Sequence, residues 1–369
     1  MKRHSSGLGL SVLLGLFGFT LATAAPITPG NLIVYRVGDG TAALTTNAAP
    51  VFLDEYTPSG SLVQSIALPT TGAGALTAVG TATTEGIMSF SQNGAKVLFT
   101  GYRKNVGGTN PSADAPGTTP RVIGVFDPST GVFDTTSYAV INAGGTIRSA
   151  TSTDGSSLFY IASSATNFVA YIGSPGPSSL GVQIDARNSR QVLLKDNVLY
   201  ASNGSTAIAA KFQSYGVLPT GATPPTVLIT LTTNDVTHGF QLFDLNTSIP
   251  GHDTLYIVNS FNNRLLKYSF DGTTWNANGF LSITGLGQGN VDGIVESGGV
   301  RLFISTGSVL GTLLDTSGHG GTITGSFSTI ASAAANTAFR GLVVTVPEPG
   351  TWAMLGLGLS ALFLLRRKS

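Results

Sequence analysis

The sequence predicts an all-β fold, a β-propeller with six blades and seven as the alternative count, set between an N-terminal signal peptide and a short C-terminal transmembrane helix. Composition is the first ground: 48 glycines and only 10% charged residues suit short strands joined by tight turns, while 42% hydrophobic content is too high for a disordered chain. A recurring turn is the second. An apolar strand end, a few polar or proline residues and a glycine close YTPSG at Gly60, FDPSTG at Gly131, IGSPG at Gly176, FQSYG at Gly216, YSFDG at Gly272 and LDTSG at Gly318, at intervals of 71, 45, 40, 56 and 46 residues. The third is a strand upstream of these glycines that pairs two large apolar residues: Leu98-Phe99, Leu158-Phe159, Leu199-Tyr200, Leu255-Tyr256 and Leu302-Phe303, with Ile33-Val34-Tyr35 as the first counterpart.

Taken in order, the chain opens with the basic Lys2-Arg3-His4, an apolar run over 8–21 and Ala22-Thr23-Ala24, an A-x-A site. Residues 1–24 read as a secretory signal peptide cleaved after Ala24, with Ala25 as the neighbouring alternative. Residues 25–346 form the exported body. Its 14 basic and 17 acidic residues leave it near neutral, which excludes a nucleic-acid partner read from a basic field. With no cysteine, neither disulfides nor thiol chemistry hold or run it.

Within the body, a short strand precedes each apolar pair and ends in its own turn: 87–90 before SQNG, 147–151 before TDG, 192–194 before Lys195-Asp196-Asn197, 240–245 before NTSIPGHD, and Ile294-Val295 before SGG. Asn-Gly and Asp-Gly supply the positive φ values of tight hairpins. A further strand follows most closing glycines, as at 62–68 and 280–283, so each unit is a four-stranded meander at propeller-blade spacing. Residues 107–120, GGTNPSADAPGTTP, read as a surface loop because proline and glycine disfavour strand interiors. The first unit lacks its opening strand and the last segment, 339–346, is a lone strand. Joining them closes the ring and removes sheet edges.

The tail, 347–369, combines Pro347-Glu348-Pro349, an uncharged apolar run over 351–365 and the basic Arg366-Arg367-Lys368. The prolines favour an extended, accessible peptide. About 15 apolar residues reach roughly 22 Å as a helix, a marginal span, and the basic end stays cytoplasmic by the positive-inside rule. This order of elements resembles the PEP-CTERM sorting signal of Gram-negative bacteria that make extracellular polysaccharide. The resemblance implies signal peptidase and the exosortase as processing partners. It also implies an inner-membrane intermediate, and then delivery to the cell envelope, cell surface or extracellular matrix. A second likeness lies at 255–272, LYIVNSFNNRLLKYSFDG, where Asn262-Asn263-Arg264 and Asp271-Gly272 are similar to the NHL repeat of six-bladed propellers. The other units keep the apolar skeleton without Asn-Asn-Arg.

The inventory for chemistry is thin. No G-x-S-x-G elbow, H-E-x-x-H helix, EF-hand loop or phosphate loop occurs. His238, in THGF at the start of an inner strand, is the candidate base or ligand; His252 and His319 read as loop residues. Glu85, Asp235 and Asp292 precede or open inner strands, where a ring would bring them toward its axis as oxygen ligands for Ca²⁺, with Arg148 and Arg340 at similar places. Mixed charges there also describe satisfied polar groups around a wet channel. Tyr102, Tyr171, Tyr215, Phe261 and Trp275 lie at or near turns, where aromatic faces could stack on sugar rings, although most of them read as blade packing. The body thus reads as a surface protein that binds polysaccharide or protein without catalysis and without a cofactor. The alternatives are a secreted hydrolase or lactonase-like propeller using channel Ca²⁺ with His238 as base, and an ice-binding protein, which needs a flat threonine-rich face that the scattered threonines do not provide.

Overall fold

The computed structural model describes residues 24–139, 145–164, 168–174 and 181–346, and their regular elements are strands apart from one 3-10 turn, Gly72–Gly74. The expected signal-peptide core, the Pro-Glu-Pro motif, the apolar run and the basic end lie outside the described residues. Among those described, no helix is long and apolar enough to cross a membrane.

Four antiparallel meanders of four strands stand apart. The strands that precede them are β1 (Leu32–Val37), β2 (Ala48–Tyr56), β3 (Leu62–Ala67), β4 (Thr77–Val79), β5 (Ser89–Phe90), β6 (Val97–Tyr102), β7 (Arg121–Asp127), β8 (Val132–Asp134) and β9 (Tyr138–Ala139). The meanders are then β10 (Ile147–Thr151) to β13 (Val182–Asp185), with β11 (Phe159–Ser163) and β12 (Phe168–Gly173) between; β14 (Ser189–Lys195), β15 (Val198–Asn203), β16 (Ala210–Val217) and β17 (Thr226–Thr230); β18 (Thr237–Phe243), β19 (Thr254–Asn259), β20 (Arg264–Phe270) and β21 (Trp275–Ser282); and β22 (Asn290–Glu296), β23 (Gly299–Ser305), β24 (Val309–Asp315) and β25 (Ser328–Ser332). The remaining strands form a ten-stranded composite, in which β26 (Ala338–Val344) pairs antiparallel with β1. The segment expected at 339–346 therefore does lie against the N-terminal strand.

The paired apolar residues have a structural reason. Successive side chains on a strand face opposite ways, and each pair divides between two neighbouring cores. Phe99 joins Tyr35 and Val51 on one side, while Leu98 joins Ile147 and Ile161 on the other. Leu255 packs with Phe212 and Phe240, and its neighbour Tyr256 with Leu302 and Val291. Tyr160 continues to Val192 and Leu199, and Phe303 to Leu32, Val34 and Leu342. Each sheet is thus sandwiched between its two neighbours, and the chain of cores returns to the strand it began on.

The first strands contact one another in the same cycle, β5 and β6 to β10, then β14, β18, β22, β26 and back to β5. Their edges would leave backbone N–H groups unpaired, which is costly when buried. Side chains of the preceding strand accept them. Ser149 Oγ accepts from Val192 N (2.9 Å), Thr151 Oγ1 from Leu194 N (3.1 Å), Gln191 Oε1 from Phe240 N (2.7 Å), Asn290 Oδ1 from Leu342 N (2.9 Å) and Asp292 Oδ2 from Val344 N (3.0 Å).

Three local expectations need correction. Gly216 does not close a turn: it lies inside β16 at φ +74°, where the pairing with β15 shifts register. Of the strand expected at 87–90, only Ser89–Phe90 forms, because Ile87 N donates instead to Arg148 O (3.0 Å) of the neighbouring sheet. The third is β4, a strand the sequence reading lacked, which pairs with both β2 and β6 and merges the first two meanders. The loop at 107–120 holds no strand, as expected.

Candidate functional site

The first strands carry a repeated irregularity at their N-terminal ends. In β10, Arg148 is an extra residue between the Ile147–Ser163 and Ser149–Ala162 pairs. Arg190 and Gln191 of β14 stand opposite Ser202 alone, and His238 and Gly239 of β18 opposite Val258 alone. In β26, Arg340 and Gly341 oppose Tyr35. A β-bulge of this kind re-aims a side chain and interrupts the ladder. Asn290 opens β22 at the corresponding place, and Glu85 lies beside β26.

These six side chains are all buried. Arg148 Nη1 donates to Ser189 O (2.7 Å) and to Asn188 Oδ1, and Arg340 Nη2 donates to Gly80 O (2.9 Å). Arg190 lies flat against Gly204, where an added Cβ would stand 2.0 Å from its Nε. The Nε atoms of Arg148, Arg190 and Arg340, Nδ2 of Asn290 and both ring nitrogens of His238 are buried without a hydrogen-bond partner. Burial and then the charges of Arg190 and Arg148 hold the His238 pKa well below its ordinary value, so the ring is neutral. Burial and the Arg190 charge likewise depress Arg148, and burial brings Arg190 down to about 10.

Glu85 is the one carboxylate in this group. Its Oε1 accepts from Tyr102 Oη (2.7 Å) and its Oε2 from Val79 N (3.0 Å). Burial pushes its pKa up to about 7, against those two bonds and the attraction of Arg340 and Arg148. Glu85 and Arg340 line a cavity of about 270 Å³ together with Ile87, Leu286, Thr306 and Phe339. Across its rim Thr83 Oγ1 donates to Gln288 Oε1 (2.7 Å).

The three carboxylates considered for Ca²⁺ are not brought together. Asp235 accepts from Asn259 Nδ2 (2.6 Å), Asn262 Nδ2 (3.1 Å) and Thr232 Oγ1 (2.7 Å), so the first Asn of Asn-Asn-Arg serves to fix this loop. Burial raises its pKa, but those bonds outweigh it and hold the group low. Asp292 accepts from Gln241 Nε2 (2.5 Å) as well as from the β26 edge, and burial pushes it up. It faces a different cavity, of about 700 Å³, lined also by Pro26, Lys96, Lys195 and Val346. Among the described residues no group of three or more His, Asp or Glu side chains could hold a metal. His252 Nδ1 meets Asp196 Oδ2 at 2.6 Å on the surface, and His319 Nε2 meets Phe270 O at 2.9 Å.

Most of the aromatic set packs within the sheets, as the blade-packing reading has it. Tyr102 and Tyr215 are buried because their hydroxyls reach Glu85 and Asp185 (2.7 Å each). Trp275 packs on Phe270 and Tyr171 on Tyr160, which leaves Phe261 as the exposed member of the five. Arg190 and Asn290 escaped the sequence reading. The available signal was positional, a polar residue at the same place in each inner strand, but for Arg190 it needed the bulge register to be seen.

Near the larger cavity the two ends of the described residues meet. Thr345 N and Oγ1 both donate to Asn31 O (3.0 and 2.8 Å), and Val346 then turns to solvent. Ile27 N donates to Pro128 O (2.7 Å), so the chain is packed from just beyond Ala24.

No curated protein matches the chain in sequence. Among solved structures it is similar to the periplasmic gluconolactonase PpgL of Pseudomonas aeruginosa, with 12% identity, TM-score 0.46, and 82% of this chain and 83% of that one covered. It is also similar to a chain of a nidogen/laminin complex (10%, TM-score 0.48, 86% and 98% covered) and to an auxiliary nutrient binding protein of Bacteroides thetaiotaomicron (10%, TM-score 0.43, 79% and 75% covered). Its structural neighbours are β-propeller proteins. Residues 345–368 match the model of the PEP-CTERM protein-sorting motif, beginning at the Thr345 that is docked on Asn31. The chain therefore carries a PEP-CTERM sorting motif, the mark of an exported protein of Gram-negative type, behind an all-β body.

Proposed function

We propose that residues 25–346 are a six-bladed β-propeller, exported by a signal peptide at 1–24 and sorted to the cell surface or matrix through residues 347–369. There it binds an extracellular polysaccharide or surface protein without catalysis. In this reading the first blade is β26, β1, β2 and β3, closed by strands from both ends of the body, and the exosortase processes a tail that leaves the ring directly after Val346. The supporting observation for binding over catalysis is the state of His238. A catalytic base needs an acceptor to orient one ring nitrogen and a proton to take with the other. Neither His238 nitrogen has a partner among the described residues, and the charges acting on it are guanidiniums.

One observation favours the enzymatic alternative. Glu85 titrates near neutral pH at the wall of a cavity beside Arg340, a placement suited to a general acid or base. Deleting 347–369 tests the sorting half: the truncated protein is expected in the periplasm or medium, and unchanged surface attachment would contradict it.

A further inference from the structure

We propose that the N-terminal ends of the inner strands, four of them bulged, form an oxyanion site, built from Arg148, Arg190, Arg340, His238 and Asn290, that receives one carboxylate or phosphate group of a small acid or of the end of an acidic glycan. This deepens the binding reading and rests on it. None of the three guanidiniums forms an ion pair among the described residues, and Arg190 Nε is buried without a hydrogen-bond partner there. Buried charges without partners are costly, and like charges side by side cost more. Glu85 compensates only in part, because its oxygens are turned to Tyr102 and Val79 N.

Donor chemistry points the same way. The unpartnered atoms are guanidinium and amide N–H groups, with an imidazole that can offer one more. Guanidinium forks match the planar or tetrahedral oxygens of carboxylate and phosphate. Three guanidiniums repel a cation, and a neutral sugar would leave the excess charge unanswered. The bulges supply the placement, since they recur at the same end of four inner strands and turn Arg148, Arg190, His238 and Arg340 out of the ladder. Size sets the ligand class. Arg340 lines, with Glu85, the cavity of about 270 Å³, which is at the small end of ligand sites and admits a single acidic unit and not a folded polymer.

The test uses the full chain in detergent, with glucuronate, a short oligouronide, inorganic phosphate and glucose as probes in calorimetry and thermal unfolding. Millimolar glucuronate or phosphate is expected to raise the Tm, and glucose is not. A response to the uronates alone identifies a sugar acid; a response to phosphate alone identifies a phosphorylated ligand. Arg190→Gln is expected to weaken anion binding about tenfold or more. It should leave the Tm of the unliganded protein unchanged or higher, since it relieves repulsion. Arg190→Lys, which keeps the charge but loses the fork, should fall between. No anion response in the parent, or equal affinity in both variants, would overturn the site. Binding of neutral glycans with no anion response would overturn this inference while leaving the binding reading intact, and turnover of a bound acid would do the reverse.

Discussion

Leu32 and Val344 face each other across the antiparallel pair of β1 and β26, so the last strand of the body ends beside the start of the first. Leu342, Val343 and Val344 are buried there, and β1 depends on them for its second edge partner. Truncation after Val346 should therefore leave stability unchanged, while truncation after Thr337 should expose the β1 edge and abolish cooperative unfolding. Thermal unfolding of the two truncations checks this. Equal Tm values would show that β26 does not close the ring.

Lys267 and Asp315 form a buried ion pair between β20 and β24, at 2.9 Å, and Tyr256 Oη adds a bond of 2.6 Å to the same carboxylate oxygen. Burial disfavours the Asp315 charge, but the bonds from Tyr256, Lys267 and Ser317 hold its pKa well below the usual carboxylate range. Lys267→Met leaves that buried carboxylate without its counter-ion, held by neutral donors alone, and should cost about 3–5 kcal/mol in urea unfolding. Replacing both partners with apolar residues should recover most of the loss.

Glu85 and His238 give opposite pH dependences. Glu85 faces Tyr102, Arg340 and Arg148, and its pKa rises from 4.5 to about 7 on folding. The folded state thus holds a proton that the unfolded state has released, and this contribution, about 3 kcal/mol, is lost as pH rises from about 4.5 through 7. Glu85→Gln should flatten that fall. His238 faces Arg190 and Arg148 and stays neutral when folded, so stability drops as pH falls below its ordinary 6.5. His238→Asn should reduce the acid-side loss. Difference curves of Tm against pH for each variant separate the two.

Gly341 lets β26 approach the segment holding Glu85, because a Cβ there would stand 2.2 Å from Gly86 O. Gly341→Ala should cost about 1–3 kcal/mol and disturb the ring at its closing strand. Chemical denaturation measures this, with Gly307→Ala, where an added Cβ meets open space, as the control.

Much of this architecture was legible in the chain. Leu98-Phe99 and Leu255-Tyr256 show as pairs because each residue feeds a different core, and period-2 alternation turns that demand into a visible repeat. Asp292 was misleading for a physical reason. A carboxylate near the start of an inner strand reads as a ligand, but here it accepts the edge N–H of Val344, a role visible only once the neighbouring strand is in place. Arg190 was missed because a bulge shifts register by one residue, and a single sequence does not reveal which strands carry one; Asn290 opens a regularly paired strand and carries no such signal. Tyr102 looked like a turn aromatic, yet its hydroxyl is held inside by Glu85.

The most direct test of the account as a whole is recovery of the ligand after binding. The full chain, incubated with an oligouronide and reisolated, should retain the sugar acid, and mass spectrometry of the released material should return it at its original mass. Release of shortened or hydrated products, lost in Glu85→Gln, would contradict the account and make the centre of the ring an active site.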